Sequence, residues 1–256
     1  MEIFLKILNF VIKLYFDDSI KITKINKLLS SYKNYIIPKD CYIKPKYCLF
    51  VRNDFKYSFL RKNRIGYLSF FKRKKKNNFI IPSDITDTQF DLIMRILINN
   101  LVRIKKAFII HCSALLVNKK AILFIGKSGA GKSTIVQILK KEFTPLCDDL
   151  AIVARGKGGK YHLFQVPYKE KNNYCKDNSS YPISKFYLIK KDNKTFIRKI
   201  NFLNSHIIAK ILGEICVDNN REKIVKFVFN LKNYFFEFSF SKENKKDLIK
   251  LLKLFS

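Results

Sequence analysis

The 256-residue chain lacks cysteines paired at short spacing. Its six, Cys41, Cys48, Cys112, Cys147, Cys175 and Cys216, are scattered, which argues against a structural zinc site. With 48% apolar residues the chain can build an ordinary core, so neither disorder nor a disulfide framework is expected. A reduced, cytoplasmic setting follows. Also missing is any uncharged run near the roughly 18 residues of a membrane span. Met1–Phe16 is apolar but carries Glu2, Lys6 and Lys13, which argues against a secretory signal or a span there. Ile3, Ile7, Phe10, Val11 and Leu14 fall at helical spacing. They predict an amphipathic helix packed on the core, with a membrane surface as the alternative. No internal repeat is present.

Acidic residues are scarce, 20 against 51 basic ones, which leaves a formal charge of +31. Such a charge attracts polyanions, nucleic acid or anionic membrane among them. Lysine, asparagine and isoleucine rise together, however, as in an AT-rich coding sequence. Lysine also far exceeds arginine, whose planar fork selected phosphate contacts often favour. The charge is therefore read mainly as coding bias. The densest run, Lys72-Arg73-Lys74-Lys75-Lys76, reads as a solvated turn.

The length suits a catalytic domain with a small companion. Residues 1–101 are expected to form an N-terminal α+β region, with strands at 36–37, 47–51 and 67–71. A helix opens at Asp84, with Thr88 as its cap and an apolar stripe of Phe90, Leu92, Ile93, Ile96, Leu97 and Leu101. Residues 102–256 read as a second domain. Ala107–Val117 is a strand, Asn118–Lys120 a turn, and Ala121–Ile125 a wholly apolar and therefore central strand. A helix follows from Lys132 to Lys141, and Pro145 stops it. Leu146–Ala154 returns as a strand carrying Asp148 and Asp149. The glycines of 156–159 turn the chain into Tyr161–Val166. Residues 169–182, with Asn172, Asn173, Asn178, Ser179, Ser180 and Pro182, are polar and read as a mobile, acceptor-facing loop. Strands at 185–190, 194–198 and 232–239 and helices at 204–215, 220–228 and 241–254 complete the pattern.

Between the central strand and its helix stands Gly126-Lys127-Ser128-Gly129-Ala130-Gly131-Lys132-Ser133, then Thr134. Every fixed position of G-x-x-x-x-G-K-[ST] is matched, in the strand–loop–helix context that the P-loop requires. Glycines let successive amides point at phosphate oxygens, and the helix adds its positive end. Lys132 is expected on the β- and γ-phosphates of ATP, and the Ser133 hydroxyl on magnesium. Asp148 and Asp149 follow Lys132 by 16 and 17 residues. One short helix and a turn can bring them beside the phosphates, one carboxylate on magnesium and the other as a base toward a hydroxyl. His111 lies mid-strand, where a lone histidine is more often a satisfied core residue. His162 and His206 read as structural.

The run from His111-Cys112-Ser113-Ala114 through the glycine loop to Cys147-Asp148-Asp149-Leu150 resembles the catalytic domain of HPr kinase/phosphorylase. It is closer still to the small kinases, similar to that enzyme, of modified-peptide gene clusters. The resemblance extends loosely through Val166-Pro167-Tyr168 to Phe186-Tyr187-Leu188. It implies an α/β fold, with a mixed-sheet P-loop domain of the HPr kinase/phosphoenolpyruvate carboxykinase type. It further implies that Asp149 is the general base, that Asp148 supports metal or base, and that His111 lies near the phosphates. HPr kinase also carries a downstream glutamate on magnesium in a glycine-bearing motif. That motif is missing here, and Glu170 is the nearest acid. The function implied is transfer of the γ-phosphoryl of ATP to a serine hydroxyl on a protein or peptide. The alternatives are a nucleotide-switched protein acting on nucleic acid and a small-molecule kinase. A transporter-type ATPase is disfavoured because no serine-glycine-glycine signature follows. The acceptor and the oligomeric state are left open.

Overall fold

The first sixteen residues form a β-hairpin rather than the expected helix in the computed structural model, which describes residues 1–39, 43–62, 65–156, 158–168, 170, 172, 174–202, 204–215, 221–241 and 245–255. Expectations that touch Cys41, Lys157, Asn173 and Cys216, the start of the 220–228 helix and residues 242–244 lie outside the described residues. The chain divides into two compact units, Met1–Leu101 and Val102–Ser256.

In the first unit β1 (Glu2–Ile7) and β2 (Phe10–Phe16) pair antiparallel through Leu8 and Asn9. Both turn residues have positive φ, 54° and 67°. A two-residue turn of this hand matches strand twist, and it moves the apolar pattern from helical to alternating. Leu5 and Ile7, then Ile12, Leu14 and Phe16, are buried. The chain continues through α1 (Ile22–Leu28), β3 (Ile36–Ile37), β4 (Tyr47–Arg52), β5 (Ser58–Lys62), β6 (Ile65–Ser69), β7 (Lys72–Lys75) and β8 (Asn78–Pro82). One sheet runs β3-β1-β2-β4-β8-β7, with β2, β4 and β8 parallel, while β5 and β6 make a separate pair. The basic run expected as a turn is thus the edge strand β7, paired among the described residues to β8 alone. Lysines there are what an open sheet edge needs against pairing with other chains.

The helix α2 (Asp87–Ile104) starts three residues later than its pattern suggested, and Thr86, not Thr88, caps it. Thr86 Oγ1 accepts from Gln89 N at 3.2 Å, and Gln89 Oε1 accepts from Thr86 N at 3.0 Å. This reciprocal box satisfies two amide donors that the helix start leaves unpaired. Phe90, Ile93, Met94, Leu97, Ile98 and Leu101 form the buried face. Leu92 and Ile96, expected on that stripe, are exposed, because at i+2 and i+6 from Phe90 they fall on the opposite side of the helix.

The second unit is built on one mixed sheet. Its strands are β9 (Phe108–Val117), β10 (Lys120–Ile125), β11 (Thr144–Cys147), β12 (Leu150–Arg155), β13 (Tyr161–Gln165), β14 (Ser180–Lys191), β15 (Phe196–Lys199) and β16 (Phe235–Phe240). Its helices are α3 (Lys132–Leu139), α4 (Ser205–Gly213), α5 (Arg221–Asn230) and α6 (Lys245–Phe255). The long strands β9 and β14 each serve two neighbourhoods. β9 pairs with β10 along its C-terminal half and with β12 along its N-terminal half. β14 pairs antiparallel with β13 at its start, then parallel with β10 and β16. The pairings β10-β9-β12-β13-β14-β10 therefore close a ring.

Alternation along β10 assigns the two faces. Ala121, Leu123 and Ile125 join the core with Cys112, Ala114, Phe186, Leu188, Ile211 and Phe227. Ile122 and Phe124 join the opposite core with Ile135, Val136 and Leu139 of α3 and Leu248 and Leu252 of α6. Burying a side chain of this size is worth about 1.5–3 kcal/mol, so α3 is held firmly behind the loop that precedes it.

Two expectations change here. The strand expected over Leu146–Ala154 is broken at Asp148-Asp149, and residues 180–182 of the expected loop belong to β14. The break shows in the register. β11 is in register with β9 as far as Cys147↔Ala114, and β12 resumes at Leu150↔His111. Between them Asp148 N donates to Glu170 Oε2 at 3.1 Å and so leaves the ladder.

Candidate functional site

The loop between β10 and α3 uses three glycines with positive φ: Gly126 at 146°, Gly129 at 79° and Gly131 at 104°. At Gly131 the requirement is doubled, because a Cβ would lie 2.8 Å from the Phe240 ring. Gly131 also occupies the N-cap of α3, where no side chain caps the helix. The first amides of that helix therefore open onto the loop, with the positive end of the helix dipole behind them.

Lys132 opens α3, yet it is only 7% exposed. Its ammonium donates to the carbonyl of Gly126 and to that of Lys127 at 3.4 Å, and it lies 3.9 Å from Glu214 Oε2. A cleft of about 400 Å³ faces it. Lys127, Ser128, Gly129, Gly131, Ser133 and Thr134 line one side of this cleft. His111, Asp148, Asp149 and Glu170 line the other. Gly126 and Ala130 instead line an adjoining cleft of about 440 Å³, walled by Leu188, Ile189 and Ile207. Ala130 N donates to Lys127 O at 3.0 Å, which closes the loop on itself.

The two aspartates sit in different surroundings. Asp148 is buried and held from several sides. Ser113 Oγ donates to its Oδ1 and to its carbonyl, both at 3.2 Å, and Asn172 Nδ2 donates to its Oδ2. Asp149 is 59% exposed at its side chain, and its Oδ1 stands 3.3 Å from His111 Nε2. The other imidazole nitrogen, Nδ1, lies 3.0 Å from Glu214 Oε2. His111 N also donates to the Glu214 carbonyl at 2.7 Å, so ring and backbone are both tied to this residue. A neutral imidazole donates from one nitrogen only; donating to both carboxylates requires the imidazolium form.

Glu214 was not legible in the sequence. It sits at the C-terminal cap of α4, 65 residues beyond Asp149, and carries no motif. An isolated bridge between Ile110 and Ile215 carries it to β9. Glu170, the acid singled out in the polar loop, does reach the cleft. Its carboxylate accepts from the amides of Asp148 and, at 3.5 Å, Leu150, and pairs with Lys176 at 3.1 Å. Burial raises its pKa above the ordinary value, against the pull of Lys176 and those amides. Tyr174 donates no charge to the rim: burial, then Asp148 and Glu170, push its phenol up to about 12. Gln137 of α3 donates to that hydroxyl at 2.7 Å, tying the polar loop to the helix. Beneath the site a hydrogen bond with Cys112, then burial, raise the Cys147 thiol well above its usual range. His162 and His206 lie away from the cleft, on β13 and α4.

Among the described residues no group of three or more His, Cys, Asp and Glu side chains is arranged to hold a metal ion. No described helix is long and apolar enough to cross a membrane.

A family model described as SynChlorMet cassette protein ScmC matches residues 83–212. Among solved structures, the HPr(Ser) kinase/phosphatase from Coxiella burnetii matches with 13% sequence identity and a TM-score of 0.27. That match covers 56% of this chain and 92% of the other. No curated protein matches. Half of the chain, including the glycine loop, both aspartates and His111, falls within the family match, and the chain belongs to the SynChlorMet cassette protein ScmC family.

Proposed function

We propose that the chain is an ATP- and magnesium-dependent phosphotransferase that moves the γ-phosphoryl group to a serine-type hydroxyl of a protein or peptide. One observation carries the reading: the glycine loop, with Lys132 and Ser133, shares a single cleft with Asp148, Asp149 and His111. The residues fit the nucleotide. The loop glycines, Lys127, Ser128 and Thr134 would offer amides to phosphate oxygens, the Ala130 amide, bonded to the Lys127 carbonyl, would keep the loop closed, and Lys132 would leave its carbonyl partners for the β- and γ-oxygens. Ser133 and Asp148 would be the oxygen donors for magnesium, an ion commonly held by one or two protein ligands together with phosphates and water. ATP and magnesium, when bound, supply the electrophilic phosphorus and neutralise its oxygens. Leu188, Ile189 and Ile207 in the adjoining cleft give the nucleoside an apolar wall.

Asp149 is the base in this reading. It is the exposed member of the pair and so the one an acceptor can reach. Its carboxylate takes the hydroxyl proton as the new oxygen–phosphorus bond forms and the bond to the leaving diphosphate breaks. His111, held by Glu214, orients that carboxylate. Asp148, held by Ser113 and Asn172, would give magnesium its remaining lone pairs. The polar loop around Glu170 and Tyr174 forms the rim on the acceptor side. The thiols of Cys48, Cys112, Cys147 and Cys175 are not joined in disulfides, which suits the reduced, cytoplasmic setting that belongs to the same proposal.

The test is incubation with γ-labelled ATP and magnesium, with and without lysate of the source organism, beside a Lys132→Ala control. A labelled protein or peptide band that disappears in the control is the expected result. Label released only as free phosphate would sink the transferase reading in favour of a nucleotide switch.

A further inference from the structure

A second concave site lies in the same unit, away from the glycine loop. It encloses about 660 Å³ between the end of α2, the β12–β13 hairpin and α5. Six cations border it: Arg103, Lys105, Lys106, Arg155, Lys223 and Lys226. No Asp or Glu lines it among the described residues. Lys226 pairs with Glu222 of its own helix at 2.6 Å. Arg155 stands six residues along the chain from Asp149, about 20 Å if extended. The site is therefore distinct from the cleft at the glycine loop.

Two observations separate it from the diffuse charge of the whole chain. The first is Lys106. α2 ends with Ala107 N donating to Val102 O at 2.9 Å and Lys106 N to Arg103 O at 3.1 Å. This paired pattern places Lys106 at the left-handed position after the helix, with φ 54°. Glycine is the usual occupant there, since a side chain strains the backbone. A lysine stands where glycine would be the easier choice. The second observation is the floor. Phe108 stacks on Phe227 with centroids 4.0 Å apart, and Tyr161 meets Phe227 edge-on at 5.6 Å. Arg155 covers the Tyr161 ring at 5.3 Å and donates to its hydroxyl at 3.2 Å. These rings exclude water beneath the cations and so strengthen their field.

The committed rings also decide the ligand. Single-stranded nucleic acid needs free aromatic faces for its bases. Here two faces are spent on each other and a third lies under a guanidinium. What the site offers is a concave ring of cations with two arginine forks, which match carboxylates. We infer that this cleft binds an acidic peptide segment through its Asp and Glu side chains. The inference stands apart from the phosphotransfer reading.

The probe is a fluorescently labelled deca-glutamate peptide, followed by anisotropy on the full chain at low and at 0.5 M salt. Lys106→Gly removes one cation while relieving the backbone, so binding should weaken about threefold, within the range of one exposed ion pair, with no loss of melting temperature. Lys105→Glu with Arg155→Glu should weaken binding at least tenfold, and the matching Gln pair by less. Lys74→Glu with Lys75→Glu on β7 should leave binding unchanged. Equal losses from the β7 pair would overturn the inference and assign binding to diffuse charge. An oligothymidylate that binds more tightly than the peptide, and loses affinity through the same cleft variants, would overturn it in favour of nucleic acid.

Discussion

On β7 of the first unit Lys74 and Lys75 stand in solvent at a sheet edge, whereas in the second unit Lys132 is 7% exposed beneath a glycine loop. The residue type is the same and the surroundings are opposite. At the edge each ammonium keeps its water, and its neighbours matter little. Beneath the loop, desolvation must be offset by the carbonyls of Gly126 and Lys127 and by Glu214 at 3.9 Å. In a chain with a charge of +31, composition says little about which cation acts. The buried one, held by two loop carbonyls beside Glu214, is the one able to exchange them for phosphate.

That contrast can be broken or sharpened by variants. The largest effect is expected in the second unit. Lys132→Ala and Asp149→Asn should each lower phosphoryl transfer about 100-fold or more. Nucleotide binding should fall in the first and persist in the second, as read by titration with a fluorescent ATP analogue. If Asp149→Asn transfers at the wild-type rate, the base has been assigned to the wrong residue.

Glu214→Ala should come next. It removes the partner of His111 Nδ1 and a neighbour of the buried Lys132, at a cost of about 2 kcal/mol. For a chain of this size that is a fall of about 4–8 °C in melting temperature. Glu214→Gln, which keeps an oxygen for the ring nitrogen, should recover more than half. Equal melting of both variants with wild type would show that Glu214 holds nothing.

A smaller effect is expected from Glu170, and it depends on pH. Burial raises its pKa above the ordinary 4.5. A carboxyl raised on folding contributes stability that is present below about 4.5 and lost as pH rises through the folded value. The stability of wild type relative to Glu170→Gln, from urea unfolding, should therefore decline between pH 4 and pH 7. A difference that grows with pH would mean that Lys176 and the two amides outweigh burial. The smallest effect belongs to the first unit: Lys74→Gln with Lys75→Gln should shift melting by no more than about 2 °C.

The two hairpins show how far local pattern reaches. At Asn118-Lys119 both φ values are positive, 49° and 63°, and an asparagine followed by lysines between two apolar strands already read as a turn. At Leu8-Asn9 the geometry is the same, but Leu8 is apolar and buried. An apolar residue there marks no turn, and the helical spacing of Ile3, Ile7, Phe10, Val11 and Leu14 runs straight across it. The broken strand at Asp148-Asp149 escaped for a different reason. The break depends on Glu170, whose position follows from β13 and the polar loop rather than from the residues beside the aspartates.

By itself the sequence determined the glycine loop, its flanking strand and helix, and the aspartate pair, because each depends on residues a few positions apart. Glycine conformation, helix start and apolar alternation are local properties. Only the tertiary structure decided that Asp148 is buried and Asp149 open, that His111 bridges Asp149 to Glu214, and that six cations ring one cleft. Those facts come from ring closure of the sheet and from the α4 bridge to β9, which bring together side chains many residues apart. Burial and electrostatic partnership arise from proximity in space, and a linear pattern does not encode it.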